Sequence, residues 1–261
     1  MPWRSASAGT APDINPDAMI RQATKRALRK SGFELRRHRA GATYLARRME
    51  RIAAESIDLV VDVGAHAGEY AGSLRHEGYK GPILSFEPQA QMFERLRQAA
   101  TSDSGWECRR QAVGSSPGSM TLHIAGNDGF SSSLLPMTEA HQQGEPSSAY
   151  VDTEEVEVTT LDAALDPGPR ARRLCLKVDV QGHEAEALAG AASTLARCRI
   201  VELELGLVEL YEGQALFGEL VSTLEQQGLV MADVEPAFND RQTGQLLQVD
   251  ALFIRPDAAH A

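Results

Sequence analysis

The chain is short of the residues that cross-link, clad or anchor a protein. Its three cysteines, Cys108, Cys175 and Cys198, are odd in number and lack C-x-x-C spacing. That argues against a disulfide framework or a cysteine-held zinc, and for a reducing compartment. Aromatic residues make up only 5% of the 261 positions. No apolar run approaches the length of a membrane span, and the opening Met1-Pro2-Trp3-Arg4-Ser5 lacks the apolar stretch of a secretory leader, so the cytoplasm is the expected location. Positive charge is scarce outside the first 51 residues. Those hold twelve lysines and arginines against Asp13, Asp17, Glu34 and Glu50, or +8, leaving 14 basic against 32 acidic side chains, or −18, for the rest. An acidic body offers nothing to nucleic-acid phosphates. Hydrophobic residues at 43% are enough for one large α/β domain with an appendage.

The most informative stretch is Asp58-Leu59-Val60-Val61-Asp62-Val63-Gly64-Ala65-His66-Ala67-Gly68-Glu69-Tyr70. A β-branched run turning on glycine and leading into a helix-competent segment reads as a buried parallel strand, a tight turn and a helix N-terminus. A dinucleotide fingerprint, G-x-G-x-x-G, uses its second glycine to admit pyrophosphate. Here the pattern is G-x-x-x-G, with His66 in that place. A pyrophosphate would be crowded; a cofactor without phosphate would not. Pro82–Pro88 then reads as a short strand ending in Glu87, 23 positions after Gly64. A carboxylate at this distance accepts hydrogen bonds from both hydroxyls of a ribose.

The remaining pattern alternates strands with helices. Residues before Pro16 read as a loose tail, and Asp17 as the cap of a helix reaching Lys30 whose basic face either rests on an anionic membrane or is merely solvated. Helices are expected over 44–56, 71–78 and 89–100, and a third strand over 106–113, its end (Gln111-Ala112) beside a bound adenine. Strands follow over 120–124 and 156–160, with a turn at 126–129 and an insertion over 130–148 that lacks helical period and reads as a lid or loop. Leu161-Asp162 opens a short helix, and the apolar run 173–180 ends in Asp179 before a helix to Leu195. A strand over 200–205, a helix over 213–227 and a hairpin of strands 229–234 and 246–254 close the chain. The order implies a doubly wound, Rossmann-like sheet, mostly parallel with an antiparallel edge. The tail and N-terminal helices would occupy 1–56, and the cofactor-binding domain 57–256.

Val61–Tyr70, Phe86-Glu87-Pro88, Ala112-Val113-Gly114, Ser132-Ser133-Leu134, Thr160-Leu161-Asp162, Leu176–Glu184 and Asp250-Ala251-Leu252-Phe253 together resemble the ordered sequence blocks of the FkbM-type methyltransferases. The resemblance runs from about Asp58 to Arg255. It implies a class I S-adenosylmethionine-dependent methyltransferase fold, a seven-stranded sheet whose last strand is antiparallel, and O-methylation of sugars or polyketide-type products. By position, Asp62, Gly64 and Gly68 would shape the methionine side of the cofactor site, with His66 a cofactor-binding residue of the same loop. Glu87 would take the ribose, Gln111 and Ala112 would flank adenine, Ser133 would close over the amino-acid end, and Asp179 would sit beside the sulfonium.

An alcohol nucleophile needs its proton removed as the methyl arrives. His183, just past the end of the strand nearest the cofactor, is the first expectation for that base because imidazole titrates near neutrality. Asp179 is the second, and His66 the third. A divalent cation held by Asp179, Glu204 and Asp250 is the weaker alternative for lack of a dense acidic motif, so no metal is expected. The leading expectation is a sugar O-methyltransferase, with a lipid-linked or small-molecule acceptor and, through the basic helix, a peripheral membrane contact. A soluble polyketide is the rival acceptor. A nicotinamide-dependent oxidoreductase or epimerase, or a silent cofactor-binding partner, would share parts of the pattern.

Overall fold

The computed structural model describes residues 16–31, 43–165 and 173–257; the tail expected before Pro16 lies outside them. The chain divides into two units, residues 1–42 and 43–261. The described part of the first is helix α1 (Pro16–Lys30), which starts early enough to hold Asp17 inside it rather than as its cap. Its Lys25, Arg26, Arg29 and Lys30 are exposed, and so is Ala27, which leaves its apolar stripe thin.

The second unit begins with α2 (Tyr44–Ala54), capped by the Thr43 hydroxyl, which accepts from Ala46 N at 3.1 Å. Sequence grouped this helix with the tail. It belongs to the body because Tyr44 and Ile52 are buried and its basic side chains are consumed there: Arg47 pairs with Asp233, and buried Arg48 with Glu202. Positive charge counted as surface is in part internal.

The body is built on seven strands: β1 (Leu59–Val63), β2 (Ile83–Phe86), β3 (Trp106–Arg109), β7 (Leu174–Val178), β8 (Cys198–Gly206), β9 (Val230–Asn239) and β10 (Leu246–Ile254). Their order is β3-β2-β1-β7-β8-β10-β9. Only β10 runs against its neighbours, bonded on one side to β8 and on the other to β9. The last described strand is thus antiparallel, as expected, but it is inserted between two parallel ones, and the edge itself is formed by β9. Alternate residues feed two cores, as a strand period of two requires. Val61, Val63, Leu176 and Val178 pack with α7 (Glu184–Ala189), α8 (Ala192–Leu195) and α9 (Phe217–Gln226). Val60, Cys175, Ile200 and Leu252 pack with α2, α3 (Glu69–His76) and α4 (Ala90–Ala100). Helices thus cover both faces.

Two expectations give way. The single strand expected over 106–113 breaks at the polar Arg110-Gln111 pair: β3 stays in the main sheet, while β4 (Ala112–Val113) joins a second sheet with β5 (Gly118–Ala125) and β6 (Tyr150–Thr159) in the order β4-β6-β5. The insertion expected to lack helix contains α5 (Glu139–Gly144), six residues being too few for a period to show. The short helix opening at Leu161 is present as α6 (Leu161–Ala164).

After β1 the chain winds outward to β2 and β3, then returns through the second sheet to β7 on the other side of β1. Winding reverses between β1 and β7, and the carboxyl ends of strands flanking such a reversal leave a crevice.

Candidate functional site

The crevice is a cleft lined from one side to the other by the tips of β2, β1, β7, β8 and β10. Adjacent strands lie about 4.8 Å apart, so the three steps from β2 to β8 span roughly 14 Å.

At the β2 end stands Glu87, 7% exposed. Its Oε2 accepts from His66 N and its Oε1 from Gln89 N, both at 2.8 Å. Burial pushes the carboxyl up to about 7 against the pull of those two N–H groups. Each carboxylate oxygen keeps a second lone pair, so two further donors can be served. Phe86, Val113, Leu122, Phe130 and Leu134 line the cleft around it, with Gln111 and Ala112 where sequence put them. The Gln111 amide is turned to Glu157 at 2.8 Å. His66 also lines the cleft; its ring stacks on Phe130 at 4.1 Å, and its Nε2 lies 2.9 Å from Asp128 O.

Gly64 forms the floor between β1 and β7. Its φ is +77°, and a Cβ built there would lie 1.8 Å from Asp179 O, so only glycine fits. Lys177 Nζ donates to Gly64 O at 2.9 Å and lies 3.3 Å from Asp179 Oδ2 and 3.6 Å from Asp62 Oδ1. Burial works against this ammonium, but Asp179 and Asp62 outweigh it and hold its pKa above the ordinary range.

At the β8–β10 end the lining turns acidic. Glu204 and Asp250 face each other across the strand register. Burial, then Asp179 and Asp250, push the Glu204 carboxyl well above the usual range, while burial, then Asp179 and Glu202, take Asp250 up to about 7. Two cations line the cleft, Arg48 and Lys177, and both already have carboxylate partners. Among the described residues no group of three His, Cys, Asp or Glu side chains is placed to hold a metal ion.

Gly64, His66, Glu87, Gln111, Ala112, Ser133 and Asp179 therefore meet in one cleft, and three expected residues lie outside it. Asp62 is fully buried beneath the floor, accepting from Ser85 Oγ at 3.2 Å; it supports Lys177 rather than facing a ligand. Gly68 lies under the start of α3, against Trp106 and Leu96. His183, the first expectation for the base, is 6% exposed at the start of α7, with its Nε2 toward Gly114. Burial lowers its pKa. It is not among the cleft residues, being buried against Gly114 instead. Ser133 is present but engaged: its hydroxyl donates to Gln181 O at 2.6 Å and pins the insertion to that tip.

Sequence reasoning passed over Arg48, Tyr70 and Lys177. Lys177 alone had a signal, a charge inside an otherwise apolar strand.

The donor set fits a nucleoside without phosphate. A buried carboxylate with spare lone pairs stands in apolar walls at one end, and among the described lining residues no unpaired cation waits for a pyrophosphate.

A model of the methyltransferase FkbM domain matches residues 62–231, more than half of the chain. Hexuronic acid methyltransferase AglP of Haloferax volcanii is 26% identical over 153 residues, 58% of this chain and 57% of AglP. The chain thus spans little more than half the length of that curated relative. Solved structures of similar shape include precorrin-6y C5,15-methyltransferase from Geobacter metallireducens (TM-score 0.46, 10% identity, 82% of this chain and 87% of that one). Another is magnesium protoporphyrin IX methyltransferase from Synechocystis with bound SAM (TM-score 0.43, 11% identity, 95% of this chain and 100% of that one).

Proposed function

As the chain belongs to the FkbM methyltransferase family, we propose that it transfers the methyl group of S-adenosylmethionine to a hydroxyl of a sugar. The observation that carries the reading is one cleft holding a ribose-competent carboxylate, Glu87, and, two strands away, a second carboxylate, Asp179. Adenosine would lie over β2 and β1, the sulfonium over Gly64 and Asp179, and the acceptor toward β8 and β10. When bound, the cofactor supplies an electrophilic methyl. It would leave as neutral S-adenosylhomocysteine, and the Asp179 carboxylate would take the proton of the acceptor hydroxyl as the methyl is transferred. Alignment of nucleophile and methyl supplies much of the rate, up to roughly 7–11 kcal/mol in well-oriented systems.

Calorimetry of S-adenosylhomocysteine against NAD tests the cofactor half. Labelled S-adenosylmethionine incubated with the protein and fractionated sugars tests the acceptor half. Binding of NAD alone would end the reading, as would label appearing only in polyketide-type acceptors.

Cofactor binding is expected to depend on pH through Glu87. Ribose hydroxyls donate to its charged form, so binding lowers a pKa that stands near 7 in the free protein. Affinity for S-adenosylhomocysteine should rise about tenfold between pH 6 and 8, with release of a proton near pH 7. Titrations in buffers of different ionisation enthalpy check this, and Glu87→Gln should flatten the profile.

The charge of the cleft narrows the acceptor. Asp179 faces it, Glu204 and Asp250 hold their protons more readily than ordinary carboxyls, and the lining Arg48 and Lys177 already have carboxylate partners, so an acceptor carboxylate would meet no free cation there. An uncharged sugar ring suits these walls better than the hexuronic acid in the name of AglP. Methyl glucoside should be a better acceptor than the matched glucuronide, and a preference for the glucuronide would overturn that assignment. Methyl transfer does not call on contact between α1 and an anionic membrane, for which the exposed Lys25, Arg26, Arg29 and Lys30 are what speaks among the described residues. No described helix is long and apolar enough to cross a membrane.

A further inference from the structure

Asp179 is held from both sides, and one of the holders leads out of the cleft. Lys177 stands by its Oδ2, while Gln181 Nε2 donates to its Oδ1 at 2.8 Å. The same amide nitrogen donates to Glu204 Oε2, also at 2.8 Å. Both hydrogens of the amide are thereby committed to carboxylates. Its oxygen accepts from Tyr211 Oη at 2.6 Å. In this sense both amide hydrogens meet carboxyl oxygens and the amide oxygen meets the phenol.

Two features show that the linkage is built in. Gln181 takes a left-handed backbone (φ +54°), uncommon for a residue with a side chain. Tyr211 is fully buried; its side chain lies so close to Gly182 that a Cβ there would come within 2.8 Å of the tyrosine Cβ. The Tyr211 hydroxyl also reaches Ser131 O at 3.3 Å, in the insertion whose Ser133 caps the Gln181 carbonyl. Tyr211 itself does not line the cleft.

We propose that Tyr211 is a positioning residue for methyl transfer, which through Gln181 fixes the Asp179 carboxylate in the orientation that receives the acceptor proton. The proposal rests on the methyltransferase reading. Its physical content is narrow. A phenol donating to the amide oxygen leaves the amide hydrogens nowhere to point but at Asp179 and Glu204. Without that donor the amide is free to turn, and Asp179 loses its fixed rotamer while keeping its charge.

The test uses the full chain, Tyr211→Phe, Gln181→Leu and the double variant, and reads three quantities. Tyr211→Phe should lower kcat about tenfold, the weight of one well-placed hydrogen bond, with acceptor KM and S-adenosylhomocysteine affinity within twofold of the parent. Gln181→Leu should cost as much, and the double variant no more than the worse single one, since both break the same chain. In a nitrogen-15 spectrum, the side-chain amide signals of Gln181, assigned by their loss in Gln181→Leu, should move in Tyr211→Phe and again in Asp179→Asn. Losses that multiply in the double variant would overturn the proposal, as would a fall in cofactor affinity alongside kcat. If the parent protein methylates no sugar, the function reading fails, while amide signals indifferent to Tyr211→Phe would sink the positioning role by itself.

Discussion

Gly64→Ala is expected to abolish measurable binding of S-adenosylhomocysteine and to lower stability by about 3 kcal/mol, combining left-handed backbone strain with overpacking. The added methyl has no place to go. It would lie 1.8 Å from the Asp179 carbonyl oxygen, and each residue directly follows a central strand, the two strands being paired along their length. Relief requires β1 and β7 to part where the cofactor would rest, and the Lys177 bond to Gly64 O would part with them. Gly72→Ala is the control. Gly72 sits inside α3, where a new Cβ meets nothing within 4 Å, so the variant should gain about 0.5–1 kcal/mol and bind normally. Thermal unfolding and calorimetry on the pair separate a general effect of extra methyls from the local one. Normal cofactor affinity in Gly64→Ala would show that the floor of the cleft lies elsewhere.

Asp179→Asn should reduce turnover by more than about a hundredfold, the usual weight of a general base, while affinity for S-adenosylhomocysteine changes only a few-fold. The separation follows from charge. S-adenosylhomocysteine has a neutral sulfur, so loss of the carboxylate removes the proton acceptor without removing a partner of the ligand. His183→Ala is the informative companion. Its imidazole is buried beside Gly114 and outside the cleft, so turnover is expected to stay within a few-fold of the parent. Any loss there should appear in stability instead, because Gly114 leads on from β4 and His183 opens α7. Steady-state kinetics on both variants decide between the two candidates. A silent Asp179→Asn with a damaged His183→Ala would restore the histidine.

The contrast shows where sequence runs out. The strands at the centre are legible because burial on both faces leaves an apolar run that ends sharply, at Gly64 in one case and Asp179 in the other. Glu87 is legible because the first turn and the helix after it fix the distance to the next strand tip. The base is not. Asp179 and His183 are four residues apart across a turn, and only the folded chain shows that Asp179 lines the cleft while His183 is buried outside it against Gly114. Arg48 meets Glu202 across 154 positions, and Tyr211 meets Gln181 from an irregular segment; neither pairing leaves a periodic trace. The expected third strand was over-extended for a readable reason, since Arg109-Arg110-Gln111 interrupts its apolar pattern. Both strands of the closing hairpin join the sheet, and it is β10, the more deeply buried of the two, that pairs with β8 while β9 forms the edge.

That last point bears on how the molecule is made. β10 occupies a gap between β8 and β9, yet it is the last of the strands to be synthesised. Until residues 246–254 leave the ribosome, the long flank of β8 has no hydrogen-bonding mate on that side and β9 has nothing to lean on. Such an open flank invites pairing with other chains. A chain stopped short of Leu246 would lack Asp250 and leave that flank of β8 open, whereas one that includes residues 246–254 closes it.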